Sequence, residues 1–166
     1  MTRRLDSIDK AALHAALTAE LVKQRDKLAS AQRLTAEGVT HEDARSEGDK
    51  DMRATEASYV ARGQAMRVES LEADVGKVRS LKLRAFSKEA PIGISALCLI
   101  ETKEGERLVF LAPAGAGLRM PSPAGEVHVV TSSSPLGRAL VGAHEGDAVL
   151  FERAGKEEEA EILEVA

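Results

Sequence analysis

Glu42, Asp43, Glu47, Asp49 and Asp51 crowd one short stretch of this chain, opposed only by Arg45 and Lys50. Carboxylates packed this densely repel one another, and a divalent cation with oxygen ligands relieves the repulsion. Carried at the far end of a rod, such a group can be placed inside another macromolecule. An ordinary alternative stays open on composition. Acidic residues suit helix starts, and Thr40 with Asp43 would cap a turn.

Other reactive side chains are less organised. His14, His41, His128 and His144 lack the short spacing of a metal site, so structural or surface roles are expected. Ser132–Ser134 lacks a Gly-x-Ser-x-Gly setting. Ala114–Gly117 is glycine-rich but is followed by no Lys-Ser/Thr pair, so it is no phosphate loop. Cys98, the single cysteine, sits in Ala-Leu-Cys-Leu-Ile and reads as a buried, inert thiol. Lys77, Arg79, Lys82, Arg84 and Lys88 cluster further along. They suit a helix C-terminus or a docking face for an acidic partner.

The elements that position these groups change character near residue 90. All 5 prolines and nine of the 13 glycines follow it. Residues 1–90 carry 17 Lys/Arg and 15 Asp/Glu, and residues 91–166 carry 6 and 12, balances of +2 and −6. Two domains are expected, 1–88 and 89–166. In the first, Leu13, Leu17, Leu21, Leu28 and Ala31 mark one helical stripe. Ala54, Ala57, Ala61, Val68, Leu71, Val75 and Val78 mark a second, close to a heptad seam.

Facing residues in an antiparallel hairpin have numbers that sum to a constant. Leu17 with Leu71, Ala31 with Ala57 and Leu34 with Ala54 each give 88, and Leu28 with Ala61 gives 89. The sum places the tip near Ala44, within an acidic region spanning about 38–51, and disfavours a turn at Gly38–Thr40. Helices over about Ser7–Ala36 and Met52–Leu83 follow. Gly63 and Gly76 inside the second read as points of close helix approach.

The second half reads as strands over Ile94–Ile100, Arg107–Ala112, Val127–Thr131, Ala148–Glu152 and Ala160–Val165. Ser134 as N-cap and Pro135 at the first helical position start a short helix through Leu140, and Gly142 ends it. Pro113–Gly125 reads as an irregular loop. The fold class is α+β: an N-terminal antiparallel two-helix coiled coil and a small, mostly antiparallel sheet domain.

Composition excludes several functions. The net charge of −4 argues against a protein that blankets phosphate backbones, and one Tyr with 3 Phe offers few stacking platforms for single strands. Direct DNA reading is disfavoured. A cysteine count of 1 cannot build a zinc finger. No apolar run is long enough to span a membrane, and no apolar signal core follows Arg3-Arg4, so a cytoplasmic protein is expected.

The second half resembles the C-terminal domain of the bacterial GreA/GreB transcript-cleavage factors. Val129-Val130-Thr131, Ser134-Pro135-Leu136-Gly137-Arg138-Ala139-Leu140-Val141-Gly142, Glu145-Gly146-Asp147-Ala148-Val149 and the closing Ala160–Val165 carry the likeness. The first half is similar in plan, with local likeness at Ala44-Arg45, Gly48-Asp49, Tyr59 and Arg67–Val75. The resemblance implies an FKBP-like C-terminal domain that docks at the rim of the RNA polymerase secondary channel, with Ser134, Pro135, Leu136, Gly137 and Arg138 as docking residues. It implies no prolyl isomerase activity, since only Phe110 and Phe151 offer pocket aromatics.

It further implies that the coiled coil enters the channel and that tip carboxylates help hold a second Mg²⁺ at the polymerase's own active centre, where backtracked nascent RNA is hydrolysed. The chain is then no enzyme and has no cofactor of its own. Asp49 matches the family's first tip acid by position. The family's second acid falls three residues on, where this chain has Met52. Asp51 is the substitute, with Glu42, Asp43 and Glu47 in reserve. Three functions follow: a cleavage factor acting through Asp49 and Asp51, a channel-binding regulator or inhibitor without cleavage, and a coiled-coil scaffold without polymerase contact. The expected state is a monomer.

Overall fold

The computed structural model describes residues 3–42 and 50–166; the side chains at 38–42, 50, 51 and 54 lie outside the description. A 3₁₀ turn, Arg4–Ser7, is followed by two long helices, α1 (Lys10–Glu42) and α2 (Lys50–Arg79). The remainder forms β1 (Leu97–Thr102), β2 (Gly105–Leu111), β3 (Arg119–Ser122), β4 (Gly125–Val130), α3 (Pro135–Leu140), β5 (Ala148–Arg153) and β6 (Lys156–Val165). The α+β class expected from the sequence is the observed one. By contacts the chain divides into one compact unit of Met1–Thr18 with Lys77–Ala166 and a second of Ala19–Gly76. We propose that residues 91–166 fold on their own; loss of cooperative unfolding in that fragment would refute a domain boundary at residue 88.

Helix α1 starts later than its apolar pattern suggested because Asp9 caps it. Asp9 Oδ1 accepts from the backbone N–H of Ala11 at 2.8 Å and of Ala12 at 3.2 Å, which satisfies two of the orphan donors of the first turn. The helix continues through Gly38 to Glu42. This rules out a turn at Gly38–Thr40. Helix α2 ends at Arg79, and by Arg84 the chain is tied elsewhere, with the Arg84 N–H donating to Ser95 Oγ at 2.9 Å.

Within Ala19–Gly76 the seam of α2 follows the heptad. Ala57, Ala61, Gln64, Val68 and Leu71 are half-buried and Val75 is buried. Seam positions on α1 step by three, four and four residues from Leu21 through Gln24, Leu28 and Gln32. That rhythm suits a nearly straight helix better than a strict heptad. It corrects the expected pairing near the tip: Ala31 and Leu34 face solvent, Leu34 at 71% exposure. Arg25 on α1 reaches Glu72 on α2 at 3.9 Å. Full burial of apolar residues stops at Leu21 and Val75, and beyond them Gln24, Gln32, Thr35 and Gln64 occupy the seam. Gln64 Oε1 is buried there without a hydrogen-bond partner among the described residues.

The glycines of α2 overturn a second expectation. A Cβ on Gly63 or Gly76 would meet nothing within 4 Å. Both are exposed, so neither marks a close approach to α1.

The sheet has the order β3-β4-β2-β1-β6-β5, antiparallel except for the parallel pair β2–β4. It is buried on both faces. Cys98, Ile100, Val109, Leu111, Ala160 and Ile162 pack with Phe86, Ile92, Leu140 and Phe151. The alternate residues Leu97, Leu99, Leu108, Phe110, Val127 and Val129 are also buried. The 3₁₀ turn lies on their side of the sheet, against β1 and β6: Glu164 accepts from the Arg4 and Leu5 backbone N–H groups, each at 3.1 Å. Strand β3 lies inside the stretch read as an irregular loop. Pro121 pairs opposite Glu126 there, which is tolerated because β3 is an edge strand with one unpaired side.

Candidate functional site

Two regions carry the candidate residues, and the structure treats them differently. At the acidic tip, Asp43, Glu47 and Asp49 lie outside the described residues. Glu42 is the last residue of α1 and Asp51 the second of α2. Asp51 therefore occupies the favourable, positive end of a helix dipole, while Glu42 occupies the unfavourable end. Helix-start preference accounts for Asp51 and leaves Glu42 unexplained. Among the described residues, no three His, Cys, Asp or Glu side chains gather as a metal site.

The other candidate is the start of α3, where the structure brings the predicted residues together. Ser134 Oγ accepts from the Gly137 N–H at 3.1 Å and donates to the Thr131 carbonyl at 2.8 Å. Pro135 occupies the first turn, where no donor is missed. A Cβ on Gly137 would stand 1.9 Å from Thr131 O and 2.9 Å from Ser134 Oγ. The Ser-Pro-Leu-Gly motif therefore closes the helix onto the preceding strand's exit. Leu140 is buried beneath it, while Pro135 and Arg138 are exposed.

Beside this helix lies a groove of about 400 Å³. Its apolar floor includes Val130, Leu136 and Phe151, and Ser134 and Pro135 form one lip. Arg107, Arg153 and His128 line it from the sheet side, a basic wall that the sequence did not single out. Glu104 pairs with both arginines, at 3.1 Å from Arg153. Its carboxyl is held below the usual range, first by the Arg153 hydrogen bond and charge. The His128 imidazole is pushed below its ordinary pKa, mainly by burial and then by Arg119, with Arg107 and Arg153 adding to the effect. Phe110, the other candidate aromatic, is fully buried in the core.

The Glu145-Gly146-Asp147 motif is structural. Glu145 pairs with Arg3 and accepts from the Val165 N–H at 3.0 Å. Gly146 has φ +93°, and Asp147 accepts from the His144 N–H at 2.8 Å. His14 meets the Val78 carbonyl at 2.6 Å. Cys98 is buried, and burial pushes its thiol up to about 12, as an inert thiol requires. In the cation cluster, Lys77 and Arg79 sit in the last turn of α2. Arg84 stands over the Phe86 ring at 5.1 Å, and so does Lys10 from α1. Burial brings Lys10 down to about 8.

No protein-family model matches this chain, and no curated protein matches it. Solved structures do. The chain is similar to Gfh1. The Thermus thermophilus GreA factor homolog 1 (Gfh1) aligns over 91% of this chain and 95% of its own, at 20% identity and a TM-score of 0.39. Thermus aquaticus Gfh1 aligns over 91% and 94%, at 18% identity and 0.37. A GreA/GreB elongation factor from Nitrosomonas europaea aligns over 60% and 78%, at 17% identity and 0.36. No helix among the described residues is long and apolar enough to cross a membrane.

Proposed function

We propose that this chain is a cytoplasmic, GreA/GreB-like factor that binds bacterial RNA polymerase at the secondary channel. The observation that carries the reading is the start of α3. Ser134 and Pro135, held by the Gly137 cap, build a rigid lip on an apolar groove floored in part by Leu136, and Arg138 projects beside it without an ion-pair partner among the described residues. An exposed proline and arginine on a fixed helix, next to an open apolar groove, suit docking of another protein's side chains. Catalysis by the domain itself is not proposed, since Ser134 is committed to capping.

In this reading the tip supplies what the docking domain cannot. Asp49 and Asp51 are hard oxygen donors suited to Mg²⁺, and they would hold the ion jointly with the polymerase's carboxylates. Such an ion, when bound, generates the attacking hydroxide and steadies the leaving oxygen. The chain's own part is to carry two carboxylates to the active centre and withdraw them. It is then not an enzyme but a donor acting in trans on the nascent RNA.

A second reading, a channel-binding regulator without cleavage, is favoured by one residue. Met52, standing where the resemblance calls for an acid, is 82% exposed on the first turn of α2. Equilibrium binding to core polymerase tests the shared part of both readings. Wild-type protein is expected to bind, and Arg138→Glu to weaken binding at least tenfold with an unchanged melting profile. Equal binding by both proteins would remove α3 from the interface, and no binding by either would remove the reading.

A further inference from the structure

We propose that the outward face of α2 is a self-association surface that pairs, antiparallel, with the same face of a second copy of this chain. Met52, Tyr59, Val60 and Met66 are 82%, 68%, 54% and 66% exposed, and all four lie on this one helix. Met52, Tyr59 and Met66, continued by Ala73, recur every seventh residue. A straight helix drifts only about 20° per heptad, so they form one stripe. That stripe lies opposite the inward seam of Ala57, Ala61, Gln64 and Val68. Large exposed apolar groups scattered at random need no explanation, but a seven-residue recurrence on one helix face does.

The stripe is complementary to itself. When two copies of one helix pair antiparallel, facing residue numbers again sum to a constant. A sum of 126 sets Gly63 on the two-fold axis against its own copy. Tyr59 then falls between Met66 and Arg67 of the second copy, a thioether and a guanidinium suited to an aromatic ring. Met52 falls between Ala73 and Asp74, Glu56 faces Ser70, and Arg53 on the flank reaches Asp74. Two like-charge approaches oppose the pairing, Arg62 with its own copy and Glu56 with Glu69; all three side chains are exposed, where such repulsion is weak.

Gly63 supports this axis independently. A helix-interior glycine costs about 1 kcal/mol relative to alanine. Nothing within its own chain requires one here, since a Cβ would meet only open space. At a two-fold crossing the missing side chain lets two backbones approach. The stripe of Met52, Tyr59, Met66 and Ala73 from both copies would bury on the order of 1,000 Å² in all, near the lower bound for a specific interface. The monomer expected from the sequence is then one side of a concentration-dependent equilibrium. This inference does not depend on polymerase binding.

Sedimentation velocity of the full chain over a wide concentration range tests it, together with mild oxidation of a Gly63→Cys variant. The native thiol, Cys98, is buried and leaves the new one to react alone. The expected results are a dimer that grows with concentration, its loss in Tyr59→Glu/Met66→Glu with unchanged helix content, and efficient disulfide dimers at position 63. The control Ser70→Cys should cross-link poorly, because two copies of residue 70 stand about 20 Å apart along the axis. A monomer at every concentration, or equal cross-linking at positions 63 and 70, would overturn the proposal. So would a monomeric wild type whose polymerase binding is lost in Tyr59→Glu/Met66→Glu, which would assign the stripe to the polymerase.

Discussion

Gly137 is closed onto Thr131: a methyl group added at its Cα would lie 1.9 Å from the Thr131 carbonyl oxygen. The backbone there is ordinary helix, so the glycine is held by space rather than by dihedral angle. The contact is backbone, which cannot swing aside. Gly137→Ala is therefore expected to destabilise the sheet domain by about 2 kcal/mol or more, as overpacking does, and to displace the Ser134 lip. Urea unfolding measures this. A loss under about 0.5 kcal/mol would show that the turn relaxes freely.

Gly76 gives the opposite expectation. It is exposed, its Cβ position is open, and its helix continues to Arg79. Gly76→Ala should stabilise by about 0.5–1 kcal/mol through helix propensity and a stiffer unfolded chain. A lowered melting temperature would contradict the helical geometry assigned to this residue.

Gln64 sits in the α2 seam with its carbonyl oxygen buried and unpartnered among the described residues. A buried acceptor without a donor costs about 1–3 kcal/mol. Gln64→Leu keeps the volume and removes the acceptor, so the hairpin should gain about 1–2 kcal/mol and exchange its amide protons more slowly. Unchanged exchange would mean that the glutamine is satisfied in solution.

His128 links stability to pH. Its folded pKa is depressed, chiefly by burial and then by Arg119. The unfolded state then binds the proton more readily, so stability is full above the unfolded value of about 6.5 and falls as pH drops below it. His128→Gln should flatten the slope between about pH 5 and 7. The imidazole's own titration, followed by NMR, should lie below 6.5. An elevated midpoint would contradict the basic field assigned to the groove wall.

The sequence disclosed the fold where one physical signal dominated. Ser134-Pro135 marked a helix start through capping chemistry, and the β-branched runs at Val127–Val130 and Ala160–Val165 marked strands. The heptad of α2 was legible for the same reason. Strand β3 was not, because Pro121 and its glycine-rich surroundings read as loop, and edge position in a sheet is a tertiary property. The seam of α1 was misplaced near Leu34 because alanines and leucines lie on more than one face there, and only packing decides between them. Among the candidate site residues, Ser134–Arg138 were legible as a motif. Arg107, Arg153 and His128 were not, since β2, β4 and β5 bring them together only in the sheet.

The most direct test of the proposed function is RNA cleavage in a stalled, backtracked elongation complex with the cognate polymerase. Wild-type protein is expected to accelerate cleavage, and Asp49→Asn/Asp51→Asn to abolish the acceleration while still competing for the channel. Cleavage unaffected by the double substitution would contradict the assignment of the tip carboxylates. Competition without any acceleration by wild type would contradict the cleavage role and leave a channel-binding regulator.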